Sequence, residues 1–463
     1  MRQLTRVLRR LALFAALSLA LAACGVSEPE PAPTPPAAAT AVPTATPAGP
    51  AATPTPDLAL LLKDGGIGII QIAYDRLLDE YIDPLEPAPL MAAAWAGLVA
   101  EAAALGLDAP AKPSFGGTRA DALAAFALAY VPFANGAADP TPLRYAALRG
   151  MAQSLRDCHT FFLNPVASDT LVDTRSGKGS VGIGVELAGA PPLVAEVITG
   201  GPAARAGVLV GDRITAIDGG DASSLGPAGA YDLINGDERT TVRISLRRAG
   251  AAAPVELSIR RERVVPPNVE SRVIDAAVGY VRIRHFTDGG VKGDLQKALE
   301  AFEAQGVTSW IIDLRGNPGG RLDTAAISLF VRDGVVVRNR GRDGKLEEER
   351  ATGDLLPVIR PMVLLTNSGT GSVSEIFAAA LKEYGVAQTV GTNTNGCVGY
   401  TDVRELGDGS SLAVTTHVHL GPVTNRELNG AGVQPDLVIG RSEYDIANLL
   451  DPQLDAAVAR LQR

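Results

Sequence analysis

Apolar positions change their period along this chain. In IGIIQIAYDRLLDEY, residues 67–81, Ile70, Ala73, Tyr74, Leu77, Leu78 and Tyr81 recur at three- and four-residue steps. That spacing lines one face of a helix, and Asp83-Pro84 closes it. Ala/Leu-rich stretches of the same period cover roughly 88–105, 118–130 and 143–155, so the first folded region is expected to be mainly helical. After about Asp173 the texture becomes that of short strands: VGIGVEL, PLVAEVI, DRITAID, TVRISLRR and VELSIRR, separated by the turn clusters GGPAARAG and DGGD. One short helix is expected over Gly226 to Ile234. From about Asn268 to Gly440, strand runs alternate with helical ones. GYVRIRHF, an amphipathic helix from Gly293 to Gln305, SWIIDLRG, PMVLLTN, SEIFAAALKEYG, AQTVGT and SLAVTTHVHL follow one another. Such alternation predicts an α/β layer with partly parallel strands.

A length of 463 residues exceeds one ordinary core and implies roughly two or three domains. The composition is globular, and a formal net charge of -9 argues against nucleic acid or an anionic membrane surface as the main partner. The basic residues Arg2, Arg6, Arg9 and Arg10 precede LALFAALSLALAAC, the layout of a secretory signal. Its apolar run is shorter than the ~20 residues that span a bilayer. Leu21-Ala22-Ala23-Cys24 resembles a bacterial lipobox, which implies that Cys24 becomes a lipidated N-terminus. From Gly25 to about Asp57 the chain is almost wholly Pro, Ala, Thr and Ser, a composition that forms a tether rather than a core. The expected protein is thus exported and membrane-anchored in the bacterial cell envelope through its N-terminal lipid.

Candidate chemistry concentrates in two places. In NSGTGSVSEIFAAAL, Asn367 to Leu381, a strand breaks into a small-residue turn before a helix. Ser374 suits the N-cap and Glu375 the first turn, which leaves Ser372 exposed on the turn as a candidate nucleophile. Taken alone, such a turn also reads as a plain cap. Asp313-Leu314-Arg315-Gly316-Asn317-Pro318-Gly319-Gly320 ends another strand, and its glycines allow bare backbone N–H groups to approach a ligand.

Two resemblances follow. SVGIGVEL with GPAARAGVLVGDRITAIDG, over about Gly179 to Arg263, resembles a PDZ domain. That implies a loop, Val181-Gly182-Ile183-Gly184, offering N–H groups to a peptide carboxylate while the peptide adds a strand to the sheet edge. A groove occupied internally or unused is the alternative. YIDP, SLRDCHTFFLNP, DLRGNPGG, NSGTGSVSEIFAAAL and NGAGVQPDLVIG, with the PDZ-like segment between them, together resemble the carboxy-terminal processing (tail-specific) serine peptidases. The resemblance covers about Tyr74 to Ile439. It implies an α+β, multi-domain protein with an N-terminal helical region, a PDZ domain and an α/β peptidase core of the crotonase-like, ClpP-like type. The implied organisation is a signal at 1–24, tether at 25–57, helical domain at 58–172, PDZ domain at 173–265, peptidase core at 266–441 and a C-terminal helix at 442–463. A peptide or unfolded protein is the implied substrate, with no metal or organic cofactor.

Carried onto this chain, Ser372 matches the nucleophile, and the N–H groups near Gly319 and Gly320, with that of Val373, match the oxyanion hole. The family's general base, a lysine in a G-x-x-T-x-G-K-G segment, is absent. Gly391-Thr392-Asn393-Thr394-Asn395-Gly396-Cys397-Val398 puts Cys397 there, and Thr401 stands where a glutamine is usual. A thiol is a poor substitute for a desolvated lysine. Relatives of the tricorn protease use a histidine from the region preceding the PDZ, which makes His159 the expected base and His285 a second choice. Glu427 or Asp157 would orient the imidazole. His417 and His419 alternate on one strand face and read as structural, with no ligand cluster beside them. If His159 approaches Ser372, Cys158 and Cys397 meet there, and a disulfide between them would pin the His-bearing loop. Two buried, inert cysteines are the other reading. A scaffold that binds peptides without cleaving them is the alternative to the enzyme.

Overall fold

The helical spacing forms four helices: α1 (Ile67–Glu80), α2 (Pro87–Ala104), α3 (Arg119–Gly136) and α4 (Thr141–Ser154). This computed structural model describes residues 65–175, 180–275, 277–287 and 289–462. The expected signal, Cys24 and the tether lie outside the described residues. Helix starts follow local chemistry. Pro87 opens α2, and Thr118 caps α3 by accepting the Asp121 N–H at 3.1 Å. Helices α2 and α4 approach closely because both are bare at the crossing. A Cβ on Gly97 would lie 2.3 Å from the Ala146 carbonyl oxygen, and one on Gly150 would lie 2.5 Å from that of Ala93.

The stripe residues Tyr74, Leu77, Trp95, Phe126 and Tyr130 are buried, with Trp95 edge-on to Phe126 at 5.6 Å between ring centroids. Their cluster continues into Leu412, Val414 and Val418 of a strand near the end of the chain. The helical region therefore shares a core with the last sheet and is not a free-standing body.

A short strand β1 (Phe161–Leu163) and helix α5 (Pro165–Arg175) lead into the strand-rich region. It contains β2 (Ser180–Gly182), β3 (Val185–Ala188), β4 (Leu193–Val197), α6 (Pro202–Ala206), β5 (Arg213–Ile217) and β6 (Gly220–Asp221). After these come α7 (Pro227–Ile234), β7 (Thr241–Arg247), β8 (Val255–Arg260) and β9 (Glu262–Val264). The sheet order is β3-β4-β5-β7-β8, antiparallel throughout, so β3 is an edge. The cluster GPAARAG, read as a turn, encloses α6: Pro202 starts it and Gly207, at φ 84°, ends it.

The last region holds β10 (Val269–Asp275), β11 (Val278–Ile283), α8 (Lys292–Ala304), β12 (Ser309–Asp313), α9 (Thr324–Ser328), β13 (Val335–Gly341) and β14 (Leu346–Arg350). It continues with β15 (Met362–Thr366), α10 (Val373–Glu383), β16 (Gln388–Gly391), β17 (Gly399–Glu405), β18 (Ser411–Leu420) and β19 (Leu437–Val438). One sheet runs β10-β11-β12-β15-β16-β19 and is parallel from β11 onward. Strands β12 and β15 are buried at every position, which is why they read as unbroken apolar runs. A second, antiparallel sheet runs β1-β18-β13-β14, with β17 also paired to β18.

One strand carries no signal in the sequence, and one expectation needs correcting. Strand β14, LEEER, is exposed along its whole length and carries no apolar alternation, so only its pairing with β13 marks it. The single C-terminal helix expected over 442–463 is two, α11 (Glu443–Ala447) and α12 (Pro452–Leu461). Asp451 starts the second by accepting the Leu454 N–H at 3.0 Å, with Pro452 at its first position.

Candidate active site

Ser372 turns the chain from β15 into α10. Its backbone sits at φ 52° and ψ -122°, a conformation that a side-chain-bearing residue adopts only when its surroundings impose it. Ser372 is itself the N-cap. Ser374, expected in that role, lies inside the first turn, fully buried, with no hydrogen-bond partner for its Oγ among the described residues. Ser372-Val373-Ser374-Glu375 has the S-x-x-E spacing of a capping box, and Glu375 Oε2 accepts the Ser372 N–H at 2.9 Å.

Glu375 does more than favour a helix start. Its fully buried carboxylate accepts the Thr394 hydroxyl at 2.5 Å and the Gly396 N–H at 2.7 Å through Oε1. Through Oε2 it also accepts the Cys397 N–H at 3.1 Å. Burial is the strongest influence on this carboxyl and holds its pKa above the ordinary value, while the four donors work against it. Glu375 thus joins the serine turn to the loop after β16. The S-x-x-E spacing was the available signal for the cap; nothing local signals the link to Thr394, Gly396 and Cys397.

The DLRGNPGG loop lies against this turn. Gly319 and Gly320 have φ of 100° and 136°. A Cβ on Gly319 would sit 2.6 Å from Ser372 Cβ and 2.8 Å from the Val373 nitrogen, so glycine alone permits the contact. The Gly319 N–H donates to Asn317 Oδ1 at 2.9 Å and is already committed. The Gly319 carbonyl accepts the Phe286 N–H at 2.9 Å, and the Arg321 N–H donates to the Phe286 carbonyl at 2.7 Å, which pins the loop to the end of β11. Of the three expected oxyanion donors, Gly320 and Val373 make no backbone hydrogen bond among the described residues.

Cys397 follows β16, and its carbonyl accepts the Ser372 N–H at 2.9 Å. Its sulfur is joined to that of Cys158, with 6.0 Å between the Cα atoms. His159 Nδ1 lies 3.2 Å from Cys397 Sγ and 3.3 Å from Cys158 Sγ. The backbone of His159 is held by Asp157 Oδ1, which accepts its N–H at 3.0 Å, and by Thr401 Oγ1, which donates to its carbonyl at 3.4 Å. Ser372, Cys397 and His159 are therefore neighbours in that order.

The remaining candidates are placed elsewhere. Glu427 pairs with Arg340 at 3.3 Å, and Asp157 spends its oxygens on the His159 N–H and the Thr160 hydroxyl. His285 sits beside Arg282 and Arg284, and burial together with those cations keeps its pKa low. His419 is buried, with Nδ1 2.7 Å from Asn339 Oδ1, and its pKa is pushed down to about 4, first by burial and then by His159 and His417. His417 meets Thr416 Oγ1 at 2.9 Å and stands edge-on to Tyr400. Lys382, on the helix after the serine, is paired with Asp436 at 2.9 Å and does not replace the missing base.

In the strand-rich region, the N–H groups of Ile183 and Gly184 make no backbone hydrogen bond among the described residues, as a carboxylate loop requires. The adjoining edge strand is covered. Tyr231 of α7 accepts the Leu187 N–H at 2.9 Å, and its hydroxyl reaches the Val185 carbonyl at 3.5 Å, the two groups an added strand would use. Glu186 on β3 and Glu196 on β4 meet Arg282 and Arg284 of the last region, with Arg284 2.9 Å from Glu186 and 2.9 Å from Glu270.

Comparison with known proteins bears on this arrangement. The family model for peptidase family S41 matches residues 277–439, and that for a PDZ domain matches residues 193–248. The carboxy-terminal-processing protease of Bartonella bacilliformis is 32% identical over 302 residues, covering 63% of this chain and 68% of that protein. The carboxyl-terminal-processing protease of Synechocystis sp. is 31% identical over 318 residues, covering 66% and 74%. A solved structure, the photosystem II D1 C-terminal processing protease, aligns with 85% of this chain and 96% of its own at 25% identity and a TM-score of 0.54.

Proposed function

Since the chain belongs to peptidase family S41, whose members are serine peptidases, we propose that it is an exported, lipid-tethered endopeptidase with Ser372 as nucleophile and His159 as base. The observation that carries the reading is Ser372 itself. It is held at positive φ on a strand-to-helix turn, against Gly319, with the Val373 N–H next to it in the chain and the Gly320 N–H on the same glycine loop. Ser372 Oγ attacks a peptide carbonyl, and His159 takes the proton and returns it to the leaving amine. The two N–H groups hold the oxyanion. The PDZ domain presents a C-terminal or extended segment of a processed or unfolded protein, as the names of the relatives imply for their own substrates. Cys24 supplies the lipid, and the Pro/Ala/Thr-rich tether spaces the folded body from the membrane.

A second reading, a peptide-binding scaffold without catalysis, is favoured by the cystine at the position where the family keeps its lysine. A fluorophosphonate that labels activated serines separates the two. Labelling of wild type that is lost in both Ser372→Ala and His159→Ala supports the peptidase with this base. Labelling lost only in Ser372→Ala keeps the peptidase and removes His159 as base. No labelling of either oxidised or reduced wild type supports the scaffold.

A further inference from the structure

The cystine beside Ser372 lies against an imidazole, and these three side chains bring sulfur, nitrogen and sulfur to one point. The ligating atoms of Cys158, His159 and Cys397 all lie within 4.8 Å of one another. Cys158 is exposed and the other two are half-buried, so the group opens to solvent on one side. We propose that reduction of the cystine converts this cluster into a binding site for one zinc ion, held by Cys158 Sγ, His159 Nδ1 and Cys397 Sγ.

The dimensions suit that ion. Zinc bonds of about 2.3 Å to sulfur and about 2.0 Å to nitrogen make tetrahedral edges of roughly 3.8 Å between sulfurs and roughly 3.5 Å from sulfur to nitrogen. The two sulfur–nitrogen distances are 3.2 and 3.3 Å. Small side-chain rotations after reduction complete the triangle. Three protein ligands with one open, solvent-facing position form the layout in which zinc keeps a water. Thiolate and imidazole together select zinc over the hard cations magnesium and calcium.

The ligands are also held in place from behind. The Cys397 N–H donates to Glu375 Oε2 and its carbonyl accepts from Ser372, while the His159 backbone is fixed by Asp157 and Thr401. Such outer contacts orient ligands before the metal arrives.

The chemistry balances. A dithiol reductant gives two electrons and two protons to the cystine, yielding two thiols and the cyclic disulfide of the reductant. Zinc then displaces one proton from each thiol and binds as a divalent ion, without further redox change. Nδ1 supplies its lone pair, which fixes the remaining ring proton on Nε2. One region of the protein therefore has two mutually exclusive states, cystine or zinc thiolate. Metal uptake does not depend on the peptidase reading. Any effect on catalysis does, through His159 as base.

The test uses the full chain carrying Cys24→Ser, so that only this pair contributes thiols. The chain is reduced with a dithiol, freed of reductant without air and titrated with cobalt(II), then with zinc(II). Expected are one cobalt per chain, thiolate-to-cobalt charge-transfer absorption, and displacement by one equivalent of zinc. The oxidised chain and a Cys158→Ser, Cys397→Ser double variant give no such absorption, and His159→Ala weakens uptake at least tenfold. Absence of the absorption in the reduced chain, or its presence in the oxidised chain or the double variant, overturns the proposal. Unchanged affinity in His159→Ala also overturns it, as does loss of the far-ultraviolet dichroism on reduction, since the site needs both segments in place. Fluorophosphonate labelling is read separately, so failure of the metal site and failure of the peptidase reading remain distinct.

Discussion

Replacing Glu375 by glutamine is the most informative perturbation of the serine turn, because it keeps shape and removes one acceptor. Four donors converge on the wild-type carboxylate: the Thr394 hydroxyl and Gly396 N–H on Oε1, and the Ser372 and Cys397 N–H groups on Oε2. An amide has one acceptor oxygen, so two donors must face an NH2 group. The cheaper orientation turns NH2 toward the Oε2 side, because the Ser372 N–H retains the Cys397 carbonyl at 2.9 Å. The Cys397 N–H is then left without an acceptor, at a cost of about 1–3 kcal/mol. Loss of charge assistance in the two bonds that survive on the amide oxygen is offset by removal of a charge that burial disfavours. The expected destabilisation is about 1–3 kcal/mol at pH 7. Urea unfolding followed by tryptophan fluorescence measures it, and a double-mutant cycle with Thr394→Val isolates the buried contact.

The pH dependence supplies a second check on Glu375. Folding raises its pKa above 4.5, so the folded chain holds that proton more tightly than the unfolded chain. Wild type therefore gains on Glu375→Gln as pH falls through the raised value, with the full gain below about 4.5, and loses it as pH rises. A destabilisation under about 0.5 kcal/mol at pH 7, within the range of ordinary surface changes, would refute the reasoning.

Three other expectations follow from the structure. His419, with a folded pKa of about 4 against an ordinary 6.5, contributes stability that is whole above 6.5 and is lost as pH falls to 4. His419→Gln should remove about 3 kcal/mol of that acid-dependent loss, measured as the slope of stability against pH between those limits. Gly97→Ala should destabilise by about 1–2 kcal/mol in spite of its better helix propensity, because the new Cβ meets the Ala146 carbonyl. Gly136→Ala, where a Cβ meets nothing within 4 Å, should be neutral or stabilising, and thermal unfolding of the two variants beside wild type checks both. Tyr231→Phe frees the Leu187 N–H on the β3 edge and should tighten binding of a labelled peptide with a free C-terminal carboxylate about fivefold by fluorescence anisotropy. Equal or weaker binding would show that the hydroxyl does not guard the edge.

Much of this architecture is legible in the sequence where the physics is local. The three-and-four spacing in residues 67–81 places α1 to within a residue, and the apolar runs SWIIDLRG and PMVLLTN mark the buried parallel strands. Ser372 and the Gly319-Gly320 pair stand out because a turn between a strand and a helix needs small residues. What stays hidden depends on partners far away in the chain. The acidic strand β14 exists only through β13. Glu375 looks like a first-turn carboxylate until Thr394, Gly396 and Cys397 fold over it. The positive φ of Ser372 moves the expected cap from Ser374 to Ser372, the residue that turns the chain. Nor does the helical pattern of the first region reveal that its core is completed by Leu412, Val414 and Val418.

The bond between Cys158 and Cys397 spans 239 positions, and the PDZ domain, the glycine loop and Ser372 all lie inside that interval. A single peptide-bond cut anywhere between the two cysteines therefore releases no piece. An exposed site such as the Ala251–Ala253 turn could be nicked by a neighbouring protease or by a second copy of this chain, and both parts would stay covalently joined. On a non-reducing gel the nicked protein would keep its mass, and only a reductant would separate the fragments. Self-processing inside this loop would pass unnoticed in any assay that watches for a lost domain.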